Sequence, residues 1–235
     1  MARSLRFGIP LLVLLAAVAA APRAHALGPV DGEVGAFWWQ NDFNSTGGST
    51  GVDSSSAGAP GFRAELWFFK RYGLRAGRVS SDLDDLDMDS SSYTSIDLLW
   101  KAFAPTQNNF VAVGAGWEQL DAELIGLEGQ TSGARLTAQG RFSVARIVYL
   151  YGEGSYLPSL DDTRATNPLD GSFENISGRE FEAGVCVKPM PFVSFRAGYR
   201  ANKTSFTRTD FDAFGTEIDG EVEAKGFLAG VNLNF

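Results

Sequence analysis

The chain has 235 residues, a formal net charge of −8 and one cysteine, Cys186, and its length fits a single domain. The acidic balance argues against a nucleic-acid partner, because binding to phosphate backbones needs clustered Lys and Arg. A lone cysteine excludes an intrachain disulfide.

The first 26 residues have the three parts of a secretory signal peptide. Arg3 and Arg6 form a basic start, residues 9–21 are almost purely apolar, and Ala24-His25-Ala26 is an A-x-A cleavage site. We therefore predict a signal peptide over residues 1–26 and a mature domain over residues 27–235. Cleavage removes three arginines and the only histidine, so the mature charge becomes −11.

Ten segments of the mature chain alternate between polar and apolar residues, which is the pattern of strands with two different faces. Each is close to the ~9–11 residues that a tilted strand needs to cross a bilayer. The predicted strands lie near 33–42, 60–69, 72–79, 92–103, 109–119, 132–143, 146–157, 178–188, 191–200 and 221–235.

The connections between these segments alternate between short and long. Tight turns are expected near 70–71, 104–108, 144–145 and 189–190, and long polar loops over 43–59, 80–91, 120–131, 158–177 and 201–220. Such an asymmetry is typical of a membrane barrel, which has short turns on one rim and long loops on the other. Aromatic residues on the short-turn side, among them Phe69, Tyr72, Trp100 and Phe110, are expected to form an interfacial girdle.

The last strand alternates apolar residues and ends on an aromatic one, with Val231, Leu233 and Phe235 on one parity. With the signal peptide and the loop asymmetry, it makes the mature chain resemble the small outer-membrane β-barrel superfamily, such as the OmpA-type membrane domain without its periplasmic domain. The resemblance implies an all-β, transmembrane up-and-down antiparallel barrel of about ten strands, or alternatively eight, in the bacterial outer membrane. It also implies that the barrel-assembly machinery reads these three residues, and that outer-membrane lipid and lipopolysaccharide surround the barrel.

A soluble lipocalin-like carrier is the alternative fold, and it would place apolar residues inward and charged residues outward. In a membrane barrel the apolar residues face outward to lipid and the charged residues face inward. Thirteen charged residues are then predicted to line the lumen. They are Arg63, Glu65, Arg75, Asp97, Glu118, Arg135, Arg141, Glu153, Glu180, Glu182, Lys188, Arg196 and Arg200.

These charges support two interpretations. Paired charges would fill the lumen as a polar core, since unpaired buried charges are costly. Alternatively, they would line a narrow porin-like channel for ions or small solutes, and inward glycines such as Gly184 and Gly198 would open space for it. We favour the filled core, because a ten-stranded barrel is nearer in size to a closed eight-stranded barrel than to a wide porin.

The histidine content argues against an enzyme. Barrels of this size include surface proteases and lipid A-modifying enzymes, which use a histidine as the base, and the mature chain contains none. Cys186 falls mid-strand on the inward parity and is predicted to be a buried, inert thiol. We therefore predict a non-enzymatic protein without a tightly bound cofactor.

The predicted long loops hold seventeen acids against three bases. The densest run contains Asp82, Asp84, Asp85, Asp87 and Asp89, and its carboxylates could bind Ca²⁺ or Mg²⁺ weakly. The run lacks the EF-hand pattern, and like-charge blocks are more often solvated loops. The sequence thus predicts a structural or surface-interaction role through acidic outer loops, with the narrow channel as the alternative.

Overall fold

A computed structural model describes residues 30–46, 52–83, 88–106, 109–124, 127–161, 163–164, 172–209 and 217–235. Ten long strands and one two-residue strand, β8, occur in this part of the chain. They are β1 (Val30–Thr46), β2 (Val52–Phe68), β3 (Tyr72–Leu83), β4 (Met88–Thr106), β5 (Asn109–Leu124), β6 (Leu127–Ala145), β7 (Val148–Leu157), β8 (Thr163–Arg164), β9 (Ser172–Met190), β10 (Val193–Thr209) and β11 (Glu217–Asn234).

The ten long strands form a closed antiparallel barrel. Each pairs with its neighbours along the chain, and β11 pairs with β1 from Glu33↔Asn234 to Thr46↔Glu221. Each segment predicted from the alternation falls on one of these strands, so the ten-stranded antiparallel barrel is confirmed. Closure of the barrel leaves no free sheet edge across the apolar band. A β-sheet that spans a membrane needs such closure, because hydrocarbon offers no hydrogen-bonding partners to unpaired backbone groups.

The strands are longer than their sequence pattern indicated. The intervals predicted as loops contain much of the outer strands. On this rim the ten long strands are separated by residues 47–51, 84–87, 125–126, 158–171 and 210–216, and the short strand β8 lies within 158–171. The Ser- and Thr-rich stretches lack alternation because polar residues occupy both parities. These stretches nevertheless pair with at least one neighbouring strand, so the sheet extends beyond the apolar band.

The outer face of the wall is apolar over a band next to the short turns. Leu98 and Phe227 are 70% and 74% exposed, and Trp38, Phe62, Ile96, Trp117, Leu136 and Phe181 are also exposed. A soluble carrier would show the reverse arrangement. No helix among the described residues is long and apolar enough to cross a bilayer.

Most of the predicted aromatic girdle lies on this outer face. Phe69, Tyr72 and Trp100 are exposed near the short turns, whereas Phe110 is only 1% exposed and points into the lumen. Phe110 is the second residue of β5 and lies on the parity of Ala112, which is also buried. Its assignment to the girdle was therefore wrong, since position along the strand was considered without the parity.

The lumen is filled in layers. Near the short turns, Trp67, Leu99, Phe110 and Ala112 form an apolar cluster. Charged residues occupy the middle. Towards the long-loop rim, two apolar clusters lie on different walls: Trp39, Phe43, Ala57, Ala59, Val79, Ala224 and Leu228 on one, and Leu157, Leu160 and Ile176 on the other.

Candidate functional site

The charged layer in the middle of the lumen is the candidate functional site. Successive side chains of a strand alternate between the two faces of the wall, so residues of one parity from every strand meet inside. Twelve of the thirteen predicted lumen charges form ion pairs with one another, and Arg196 and Glu182 pair only with each other. The twelve are Arg63, Glu65, Arg75, Asp97, Glu118, Arg135, Arg141, Glu153, Glu180, Glu182, Arg196 and Arg200.

Asp97 on β4 and Glu118 on β5 bind arginines of β3 and β6. Arg75 is 2.7 Å from Asp97, and Arg135 is 3.2 Å from the other oxygen of the same carboxylate. Arg135 also pairs with Glu118 and lies 3.0 Å from Glu180. Arg135 therefore joins acids from three strands of the wall.

Glu153 on β7 links the walls across the barrel. Its Oε2 lies 2.6 Å from Arg63 and 2.9 Å from Arg75, which are on β2 and β3. Gln139 accepts hydrogen bonds from both arginines, at 3.2 and 3.1 Å. These contacts cross the lumen, which is consequently occupied by side chains at this level.

The short-turn end of the charged layer contains residues that the sequence did not single out. Glu33 binds Arg141 through two hydrogen bonds of 2.9 and 2.5 Å. The Lys101 ammonium lies 4.1 Å from the ring centroid of Trp67 and 4.4 Å from that of Phe110. Both charged residues lie on the inward parity of their strands, so the alternation contained the signal that would have identified them.

Towards the long-loop rim, two arginines of β10 bind acids of β9. Arg196 pairs with Glu182, and Arg200 lies 3.1 Å from Glu180. The Arg200 guanidinium also lies 5.2 Å from the ring centroid of Trp39 in the apolar cluster above it. Lys188, the thirteenth predicted charge, is half-buried and makes no ion pair with a described residue.

The six arginines and seven carboxylates of this network nearly cancel. Cavities between them have volumes of about 10, 20 and 40 Å³. Because a water molecule needs about 10–15 Å³, these spaces accommodate single waters or small groups of them. Such a lumen resembles a polar protein core more than a water-filled channel.

The inward glycines do not open space for a channel, contrary to the expectation from their small size. A Cβ built on Gly184 would lie 2.8 Å from the hydroxyl oxygen of Tyr151 and 2.2 Å from the backbone oxygen of Ala197. A Cβ built on Gly198 would lie 2.5 Å from the same hydroxyl and 2.6 Å from the backbone oxygen of Ala183. The space is occupied by the Tyr151 side chain and by neighbouring strands that approach closely. Cys186 is buried beside this region, with 2% exposure.

The other predicted sites are described only in part. Asp84, Asp85 and Asp87 lie outside the described residues, as do the side chains of Asp82 and Asp89, so the weak cation site stays a prediction. Val231 and Leu233 pair with β1 as part of the barrel closure, and Phe235 exchanges two backbone hydrogen bonds with Gly32.

The comparisons with known proteins support the fold. No protein-family model and no curated protein matches the sequence. The structure is similar to the outer membrane protease OmpT from Escherichia coli, with a TM-score of 0.57 and 8% identity over 88% of this chain and 98% of that one. At this identity the likeness shows the fold alone, which is that of outer-membrane β-barrels.

Two further similar structures have lower scores. Neisserial surface protein A has a TM-score of 0.41 and 13% identity over 87% of this chain and 97% of its own. An outer membrane channel from Pseudomonas putida F1 has a TM-score of 0.42 and 13% identity over 88% of this chain and 95% of its own. A likeness to OmpA-type domains in particular is not confirmed.

Proposed function

We propose that this protein is an integral outer-membrane barrel that carries no solute and acts at the cell surface through its acidic outer end. The cross-lumen ion pairs of Glu153 with Arg63 and Arg75 carry this proposal, because they block the tube at its middle. The predicted signal peptide and the apolar outer band support the location, since both are required of a barrel exported to that membrane.

The test of a solute-free lumen is liposome swelling. Protein folded into liposomes should leave the swelling rate in glycine or arabinose at the level of empty liposomes. Separate liposomes that contain a wide porin and are prepared in the same way supply the positive control. A heat-dependent gel shift shows that the protein is folded. Swelling above the empty-liposome rate would contradict the proposal.

A narrow channel is the second candidate, and one observation favours it. The two larger cavities lie next to each other and share Arg63, Glu153 and Arg196 in their linings. Movement of this one group of side chains would join the two water-sized spaces. In that case Glu153→Gln, which weakens two ion pairs, should raise the conductance of the folded protein, whereas a filled core predicts no conductance for either form.

A non-enzymatic role forms part of the proposal. OmpT is a protease, but its likeness to this chain concerns the fold. The only histidine of the sequence, His25, lies in the predicted signal peptide, so the mature chain would lack the usual general base near neutral pH. Folded protein should therefore leave a casein substrate intact, and cleavage that depends on the folded state would contradict this part.

Membrane lipid, including lipopolysaccharide, is the proposed surrounding partner. Lys203 and Lys225 lie on the outward parity just above Tyr199 and Phe227, where an outer leaflet places its phosphates. Lys203 pairs with Glu221, and Lys225 lies 3.0 Å from Glu223. Such a mixture of charges suits phosphates that are bridged by divalent cations. Removal of these cations by EDTA should therefore lower the unfolding temperature of the protein in lipopolysaccharide-containing membranes.

A further inference from the structure

The short turn between β2 and β3 has an unfavourable backbone for its sequence. The Arg71 N–H donates a 3.1 Å hydrogen bond to the Phe68 carbonyl, which closes a β-turn around Phe69 and Lys70. Both central residues have positive φ, 51° for Phe69 and 61° for Lys70. Two positive φ angles are the pattern of a type I′ turn, where Asn and Gly are preferred because other side chains are strained. The fold therefore keeps an aromatic and a basic side chain where they lower its stability, as functional sites do.

The turn is fixed in place, and its side chains are exposed. The Arg71 carbonyl accepts a 2.9 Å hydrogen bond from the Lys101 N–H of β4, which ties the turn to the neighbouring strand. Phe69 is 74% exposed, and Lys70 and Arg71 are also exposed. Neither of these two cations forms an ion pair with a described residue. Their charges are thus not compensated within the part of the chain that the structure describes.

Aromatic side chains surround the turn on the outer face of the wall. Tyr72 and Trp100 are direct cross-strand partners on β3 and β4, and both are exposed. Phe103, further along β4, is exposed as well. Exposed aromatic residues at the end of a membrane barrel mark the interface between hydrocarbon and water. The turn between β2 and β3 therefore lies at the level of the lipid head groups.

The charges of this rim have one sign. The short turns and the residues beside them, 69–71, 104–108, 145–147 and 188–192, contain Lys70, Arg71, Arg146 and Lys188 and no Asp or Glu. Asp31 of β1 lies at this end too, but on the inward parity, opposite the buried Trp67. A basic rim on an acidic chain favours a negatively charged partner, and clustered Lys and Arg beside a membrane bind anionic lipids.

We propose that the β2–β3 turn binds the head group of an anionic phospholipid in the leaflet beside the short turns. Lys70 and Arg71 bind its phosphate, and Phe69 and Trp100 lie against the upper part of its acyl chains. A zwitterionic lipid binds more weakly, because its own cation already compensates the phosphate. The aromatic residues at head-group level favour a lipid over an acidic protein. This inference rests on the proposed location in the outer membrane and names a partner for the rim opposite the acidic end.

The test measures quenching of tryptophan fluorescence by brominated lipids, since bromine quenches only on contact. The folded protein is placed in phosphatidylcholine vesicles with a minority of either brominated phosphatidylglycerol or brominated phosphatidylcholine. Quenching should be stronger with brominated phosphatidylglycerol, and Trp100→Phe should remove this excess. Trp38 and Trp117 are also exposed, but they pair with Pro60 and Ile96, further along the strands from these turns.

Two charge variants assign the excess quenching to the turn. Lys70→Gln combined with Arg71→Gln should abolish it, because each cation near an anionic lipid surface raises binding about fivefold. The matched control is Lys203→Gln combined with Lys225→Gln, which removes two cations from the outer face near the other rim. This control should keep the excess. Added salt should reduce the excess in the wild type, because it screens charges at the surface.

The backbone of the turn supplies a second, independent test. Phe69→Asn combined with Lys70→Gly introduces the residues that a type I′ turn prefers. This variant should unfold at a higher urea concentration than the wild type and should also lose most of the excess quenching. A turn that serves the fold alone predicts no change in lipid preference. Unfolding at a lower urea concentration would show that the two side chains support the fold, and would overturn the inference.

Three further results would overturn it. They are equal quenching of the wild type by both brominated lipids, full excess in the variant without Lys70 and Arg71, and loss of the excess in the control variant. If the lipid preference is absent and a soluble Glu-rich peptide binds through Lys70 and Arg71 instead, the turn would be assigned to a protein partner. None of these results touches the closed lumen, which is tested by solute flux, so failure of this inference is distinguishable from failure of the proposed function.

Discussion

Arg75 donates two hydrogen bonds to one carboxylate oxygen of Asp97, 2.9 Å from Nε and 2.7 Å from Nη2, in the middle of the barrel. The two residues are direct cross-strand partners on β3 and β4, and they are 4% and 1% exposed. Their burial is acceptable only because each charge is compensated. The pair is thus part of the core of a membrane barrel and lies where a channel would need water.

Removal of Asp97 should destabilise the barrel. Asp97→Ala leaves Arg75 and Arg135 with one acceptor fewer in a buried site, and an uncompensated buried charge costs about 3–5 kcal/mol. Urea unfolding of the detergent-folded protein, followed by tryptophan fluorescence, measures the change. Asp42→Ala is the control, because Asp42 is exposed on the outer face. Equal unfolding midpoints for the two variants would contradict a core role for Asp97.

The orientation of the wall is tested by arginine substitution on its outer face. Leu98 is 70% exposed in the middle of the apolar band, so Leu98→Arg should cost about 2–4 kcal/mol in lipid vesicles. Thr94 lies on the same face of β4 but towards the rim, and Thr94→Arg should cost at most about 1 kcal/mol. Similar costs at both positions would mean that hydrocarbon does not surround this band.

Much of the site could be predicted from the sequence because a strand has a strict two-residue period. Once one parity is assigned to lipid, residues such as Arg63 and Glu182 must point inward. The partners of these charges could not be predicted, since Glu33 and Arg141 are 108 residues apart and meet only after the barrel closes. Closure depends on strand number and stagger, which alternation does not specify.

The outer half of the barrel was harder to predict for a different reason. Where small and polar residues occupy both parities of a strand, the alternation disappears, as in residues 52–58. These residues are nevertheless in strands, because the ladder continues from below. The β2–β3 ladder ends at Gly61↔Val79, next to Pro60. The proline was a sequence signal for this end, but it does not show which neighbouring strand is lost.

The end of β11 is expected to matter for assembly more than for stability. Phe235→Ala should reduce the amount of heat-modifiable barrel in cell membranes several-fold, because the assembly machinery is predicted to read a terminal aromatic residue. Phe227→Ala, on the same parity of the same strand and 74% exposed, is the matched control. Refolding of Phe235→Ala in detergent, without the machinery, should match the wild type. An equal defect of Phe235→Ala in cell membranes and in detergent refolding would assign Phe235 a packing role instead.

Single-channel recording tests the central claim most directly. Folded protein, verified by its heat-dependent gel shift, is inserted into a planar bilayer, and the current is recorded at both polarities. The ion-pair network across the lumen predicts no steps above the baseline of the bare membrane. Steady, reproducible openings of uniform size would contradict it and would make Arg63, Glu153 and Arg196 part of the lining of a channel.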